Sequence, residues 1–139
     1  MKSRLILACT IFALLLPLCA CAVASNAPVP EQVFVDASYA GKEVEIANGG
    51  SLTVTLECNP KIGLEWALRN ISDQTTLKLV NQKFKPPEES GTASEGNAQE
   101  IWSFKAIGTG KSTIYMEYRQ PWQKQFPPEK TFSLIVVVK

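Results

Sequence analysis

From Val33 onward the hydrophobic positions recur every second residue, and no stretch sustains the 3.6-residue period of a helix. Leu52, Val54, Leu56 and Cys58 fall on one face of a strand over Ser51–Cys58, with Thr53, Thr55 and Glu57 on the other. Short strands are expected before it at Val33–Val35 and Glu43–Ile46, with Asn48-Gly49-Gly50 as the turn into it. After it, Leu64, Trp66 and Leu68 alternate inward, and a strand follows over Leu77–Val80. In Gln99–Ala106, Trp102, Phe104 and Ala106 share a face opposite Ile101 and Ser103, which makes both aromatic residues core. Strands are expected again at Ser112–Tyr118 and Thr131–Val138. The last is apolar on both faces, as suits a strand central in its sheet.

Seven or more short strands with regular turn signals predict an all-β chain folded as a two-sheet sandwich of about seven to eight strands. It is immunoglobulin-like in architecture only, because the antibody Cys…Trp…Cys arrangement is missing. Between the strands the longest gap runs from Phe84 to Asn97, with Pro86-Pro87, Gly91 and Gly96. That is too long for a hairpin turn, and long loops in small domains are often functional.

The N-terminus reads differently. Lys2 and Arg4 precede an apolar run from Leu5 to Leu18, the pattern of a secretory signal and too short for a spanning helix. Two cleavage readings stand. Ala22-Val23-Ala24 before Ser25 is an A-x-A site, giving a signal over 1–24 and an exported, periplasmic or secreted protein. Leu18-Cys19-Ala20-Cys21 resembles a lipobox, giving a signal over 1–20 and a membrane-anchored lipoprotein acylated on Cys21. Residues 25–32, with Asn26, Pro28 and Pro30, form a tether, and 33–139 one domain.

Composition removes whole classes of function. The chain carries net charge +1, and without Lys2 and Arg4 the rest has 12 basic against 13 acidic residues, so a nucleic-acid partner is not indicated. There is no histidine, which excludes Ser-His-Asp and Cys-His hydrolytic arrangements and most zinc sites. No metal and no cofactor is expected, and no pair of acidic residues suggests a carboxylate hydrolase. Cys9, Cys19 and Cys21 lie in the leader, which leaves Cys58 without a disulfide partner and, by alternation, buried. Gly110-Lys111-Ser112 echoes a phosphate loop, but Lys105 stands where the motif needs glycine, so it reads as a turn between strands.

Two short segments are the most informative. Asn59-Pro60-Lys61-Ile62-Gly63-Leu64-Glu65-Trp66 and Tyr118-Arg119-Gln120-Pro121-Trp122 each begin where a strand ends, and each combines rigid turn residues with an indole. In a two-sheet fold both turns fall at the same end, which favours a binding edge over a catalytic pocket. Taken in order, the Asn-Pro-x-x-Gly-x-x-Trp turn, a Gly-rich loop, Trp102-Ser103-Phe104-Lys105-Ala106, Gly110, a strand ending at Tyr118, and Pro121-Trp122 resemble the chagasin family of proteinaceous inhibitors of papain-like cysteine proteases. The similarity runs from about Gly41 to Val138.

That resemblance implies a monomeric, non-enzymatic inhibitor whose partner is a papain-like cysteine protease. Three loops would enter the protease cleft. Asn59, Pro60, Lys61, Ile62 and Gly63 would form the central loop. Gly91, Thr92, Ala93, Ser94, Glu95, Gly96 and Asn97 would embrace one side, and Arg119, Gln120, Pro121 and Trp122 the other. Lys61 and Ile62 stand where the family has threonines, and Gln120 replaces the arginine of its Arg-Pro-Trp. Arg119 stands one place earlier, and in a strand that shift points the guanidinium to the opposite face. The rival reading is an envelope adhesion or scaffold module that uses the same sandwich without binding proteases.

Overall fold

The alternation of Ser51–Cys58 survives intact as pleat: Leu52, Val54, Leu56 and Cys58 are buried, and the residues between them turn outward. The computed structural model describes residues 27–88 and 97–139. Eight strands occur among them: β1 Gln32–Val35, β2 Glu43–Ile46, β3 Ser51–Cys58, β4 Glu65–Ile71, β5 Leu77–Lys85, β6 Ala98–Ala106, β7 Gly110–Arg119 and β8 Lys130–Val138. The predicted leader, its two cleavage sites and Cys21 lie outside the described residues. Just ahead of the expected domain edge, the carbonyls of Pro30 and Glu31 already accept from Ala47 N and Ser51 N.

The strands form two four-stranded sheets, β1-β3-β6-β5 and β2-β8-β7-β4, the sandwich that the alternation predicts. β8 lies inside its sheet, between β2 and β7, as its apolar run suggests, with Ile135 and Val137 half-buried on the outer face. Leu134, Val136 and Val138 enter the core, as do Trp102 and Phe104 from β6. Fully burying a large apolar side chain contributes roughly 1.5–3 kcal/mol. Two facing sheets of such residues account for a domain that needs no disulfide.

One expectation needs correction. The gap expected from Phe84 is shorter than it looks, because β5 continues to Lys85, paired with β6 from Leu77↔Ala106 to Lys85↔Gln99. A register shift between Leu79 and Asn81 breaks the alternation, and the strand beyond it is an exposed edge. Period-2 patterning records burial, so an exposed edge strand past a bulge leaves little trace in it.

Register also sets which connections meet. Cys58 pairs with Ala98, Lys85 with Gln99, and Glu65 with Arg119. The connections β3–β4, β5–β6 and β7–β8 therefore leave the sandwich at the same end.

Candidate functional site

The β3–β4 connection is a closed, self-supported turn. The Asn59 side chain accepts from Lys61 N at 3.2 Å, Pro60 opens a 3-10 turn over Pro60–Ile62, and Gly63 ends it in the left-handed region at φ 73°. Backbone bonds from Gly63 N to Pro60 O (3.1 Å) and Leu64 N to Asn59 O (3.2 Å) close the base. Below it, the Tyr118 hydroxyl accepts from Asn59 N at 2.8 Å. Burial pushes the Tyr118 pKa up, so this hydroxyl stays neutral across physiological pH. Lys61 and Ile62 crown the turn, with Ile62 53% exposed.

The β7–β8 connection reaches across to it. Gln120 Nε2 donates to Ile62 O at 2.7 Å. The Trp122 indole lies against Gly63 so closely that a Cβ there would collide with the ring. Trp122 nevertheless stays 65% exposed. The two segments that the sequence singles out thus form one surface, joined by a hydrogen bond and an aromatic contact.

Arg119 does something else. Its side chain, 11% exposed, lies on the outer face of β7 beside Glu117, with Nη2 2.7 Å from Glu117 Oε2. Nη1 reaches the carbonyls of Lys124 (3.3 Å) and Phe126 (3.2 Å) inside the loop that carries Trp122. The one-residue offset turns this guanidinium away from the loop tips, as the pleat requires, and makes it a latch on the loop's base.

From the third connection, Asn97 is exposed at the same end and donates to Glu57 Oε2 at 3.1 Å. Gly91, Thr92, Ala93, Ser94, Glu95 and Gly96 lie outside the described residues. Phe84, which patterning assigns to the loop, is instead an aromatic on the β5 edge, 55% exposed and sharing a cleft with Pro60, Gly63 and Trp122. Its one sequence signal is an aromatic between two lysines, Lys83-Phe84-Lys85.

The chemistry of this end is that of contact. The only cysteine of the domain, Cys58, is buried, and desolvation first, then Glu100, pushes its thiol up to about 12. A thiol so held is neither nucleophile nor metal ligand at neutral pH. Among the described residues no cluster of acidic or cysteine side chains fits a metal ion.

Fold and edge together define an immunoglobulin-like sandwich that presents a preformed, apolar loop surface: a binding module. The family model described as Chagasin family peptidase inhibitor I42 matches residues 45–136, well over half of the chain, so the chain belongs to the chagasin family. Members of this family are protease inhibitors, not enzymes. The chain is similar to amoebiasin-2 of Entamoeba histolytica, 27% identical over 88 residues that cover 63% of this chain and 70% of that protein. Its fold is similar to the crystal structure of the cysteine protease inhibitor EhICP2 from Entamoeba histolytica, with TM-score 0.68 and 21% identity over 79% of this chain and 99% of that one. A second similar fold is the solution structure of amebosin, with TM-score 0.60 and 21% identity over 81% of this chain and all of that one (100%).

Proposed function

We propose that this protein is an exported, reversible, tight-binding inhibitor of papain-like cysteine proteases that occludes the active-site cleft with its three clustered connections. Asn59 to Gly63 form the central wedge, Arg119 to Trp122 one flank and Gly91 to Asn97 the other. Trp122 makes contact while Arg119 shapes the loop behind it. The observation that carries this reading is the junction of Gln120 with Ile62 O and of Trp122 with Gly63. Two loops fixed to each other before binding lose little conformational entropy on complex formation. Exposed tryptophan with rigid flanking turns is the usual anchor of a protease–inhibitor interface, which buries roughly 1,600 Å² in total.

Neither the Asn59–Gly63 turn, closed by its own hydrogen bonds, nor the Arg119–Trp122 segment joined to it offers a flexible extended strand to be cut, which supports inhibition by steric occlusion. Export follows from the leader pattern, and the processed protein is either free or held to a membrane through Cys21. The test is a titration of papain activity with the purified protein. Reversible, dose-dependent inhibition at nanomolar to low micromolar concentration is the expected result. A folded protein that leaves several papain-like enzymes untouched at high micromolar concentration removes the inhibitor reading.

A further inference from the structure

β4 and β5 are the end strands of their sheets. A cleft of about 600 Å³ opens between them, walled by Trp66, Trp102, Phe84 and Trp122. It also touches Pro60, Gly63 and Pro121, so cleft and loop edge are continuous.

Two carboxylates line this cleft, Glu65 and Glu100. Glu100 projects inward from β6 and is only 5% exposed. One of its oxygens accepts from Trp66 N at 2.9 Å, the other has the exposed Gln82 amide at a long 3.4 Å, and the buried Cys58 thiol lies beside the carboxylate. Among the described residues no lysine or arginine pairs with Glu100 or Glu65. Two residues along the same face, the Trp102 indole N–H has no acceptor although that side chain is 4% exposed.

A buried charge is costly without a counter-charge. Burial accordingly pushes the Glu100 pKa up, with the nearby Glu65 adding to the rise. Aromatic faces around an unpaired carboxylate are what proteins use to hold ammonium or guanidinium groups. Gln82, bound weakly, is the one side chain to move aside.

We propose that the cleft between β4 and β5 receives a basic side chain, arginine or lysine, projected by the protease that the loop edge engages. This rests on the inhibitor reading and deepens it: the loops supply general occlusion, and the acidic cleft selects among targets by a cation beside their active site.

The test has two arms. In the first, N-acetyl-arginine methylamide and its lysine counterpart are titrated into the purified protein while the tryptophan indole signals are followed by NMR. Saturable shifts of Trp66 and Trp102 are expected, weakened about tenfold by Glu100→Gln. Glu65→Gln, at an exposed position, serves as a second variant with little risk to folding. In the second arm, Ki is measured against papain-like proteases with and without a basic residue near the cleft rim. Glu65→Gln should raise Ki about tenfold for the former alone, and excess probe should mimic it.

Absence of saturable shifts with both probes overturns the cleft as a cation receptor. Saturable probe binding with Ki indifferent to probe and variant overturns the protease as the source and points to a free amine. If no protease is inhibited, the inhibitor reading and the protease source fall together, while the NMR arm still decides the cleft's chemistry.

Discussion

Gly63 has two independent reasons to lack a side chain. Its φ of 73° is left-handed, and any Cβ there would enter the Trp122 ring. The first constraint costs an L-residue roughly 1–2 kcal/mol, and the second displaces Trp122 as well. Gly63→Ala is therefore expected to lower stability by about that amount in urea unfolding and, by moving the indole, to weaken inhibition by a further factor of about ten. Trp122→Ala separates the two effects. Its side chain is mostly exposed, so stability should change by less than about 0.5 kcal/mol, while binding loses on the order of 2 kcal/mol, or roughly thirtyfold in Ki. A Ki unchanged by this substitution would remove Trp122 from the contact surface. Arg119 belongs to a different category. Arg119→Ala strips the bonds from the Lys124 and Phe126 carbonyls and leaves Glu117 with Arg69 alone. The expected signature is faster hydrogen exchange across residues 120–129, with Ki rising only as the loop loosens. Arg119→Lys should not restore it, because one ammonium replaces the planar fork poorly. Unchanged exchange in Arg119→Ala would show that the latch is idle.

Strands were legible where one face is buried and the other is not. Leu52 to Cys58 and Trp102 to Ala106 alternate because the sandwich interior lies on one side of each. β8 was legible from its unbroken apolar run, although the structure buries only the Phe132, Leu134, Val136 and Val138 face and leaves Ile135 and Val137 half-buried. β5 beyond Asn81 was not, since an edge strand past a bulge is paired on one side and wet on the other. The parallel pairings of β1 with β3 and β2 with β8 also leave no local mark, because strand direction is set by the crossing connections. Glu100 was illegible for a related reason: alternation assigns it inward, and only the three-dimensional gap between β4 and β5 accommodates a carboxylate there. That placement has a pH consequence. The folded pKa of Glu100 is raised above the unfolded one, chiefly by desolvation, with Cys58, Glu65 and Gln82 facing it. Its contribution to stability is thus fully present below the unfolded value near 4.5 and lost as pH rises through the folded value. Asp36 and Asp73 act in the opposite sense, since hydrogen bonds from Ser38, and from Thr75 and Thr76, lower their pKa values. Their contributions are present above their unfolded values and lost as pH falls. Subtracting the Glu100→Gln stability profile from that of the unaltered protein cancels the aspartates. The difference should favour the variant increasingly as pH rises from 4 to 7. A flat difference would mean that Glu100 titrates normally.

At the scale of the molecule, three connections share one end because strand pairing places Cys58, Lys85 and Arg119 at that end. The ordered motifs anticipated this grouping, but not that Gln120 and Trp122 would bind the first turn directly. The inhibitor reading needs this end to be rigid, and Cys58 is a built-in probe of whether it is. Cys58 forms the last pair of β3 with β6, one residue before the wedge. It is buried, with its thiol pushed up to about 12, so native labelling at pH 8 requires opening. Two kinds of opening are distinguishable. If the loop end is part of the cooperative core, labelling waits for global unfolding. It is then slowed by about 10³-fold or more relative to a free thiol and accelerates with urea at the full equilibrium slope. If the end frays by itself, labelling is fast and nearly indifferent to urea at low concentrations. The measurement uses protein whose other cysteines, Cys9, Cys19 and Cys21, are replaced by serine, with tryptophan fluorescence reporting global unfolding. The bonds from Asn59 N to Tyr118, from Gln120 to Ile62 O and from Leu64 N to Asn59 O cross the end from three directions and predict the first outcome. Urea-insensitive labelling would mean that the edge is not preorganised. Tight inhibition would then have to draw on contact energy alone, less the cost of ordering the loops on binding.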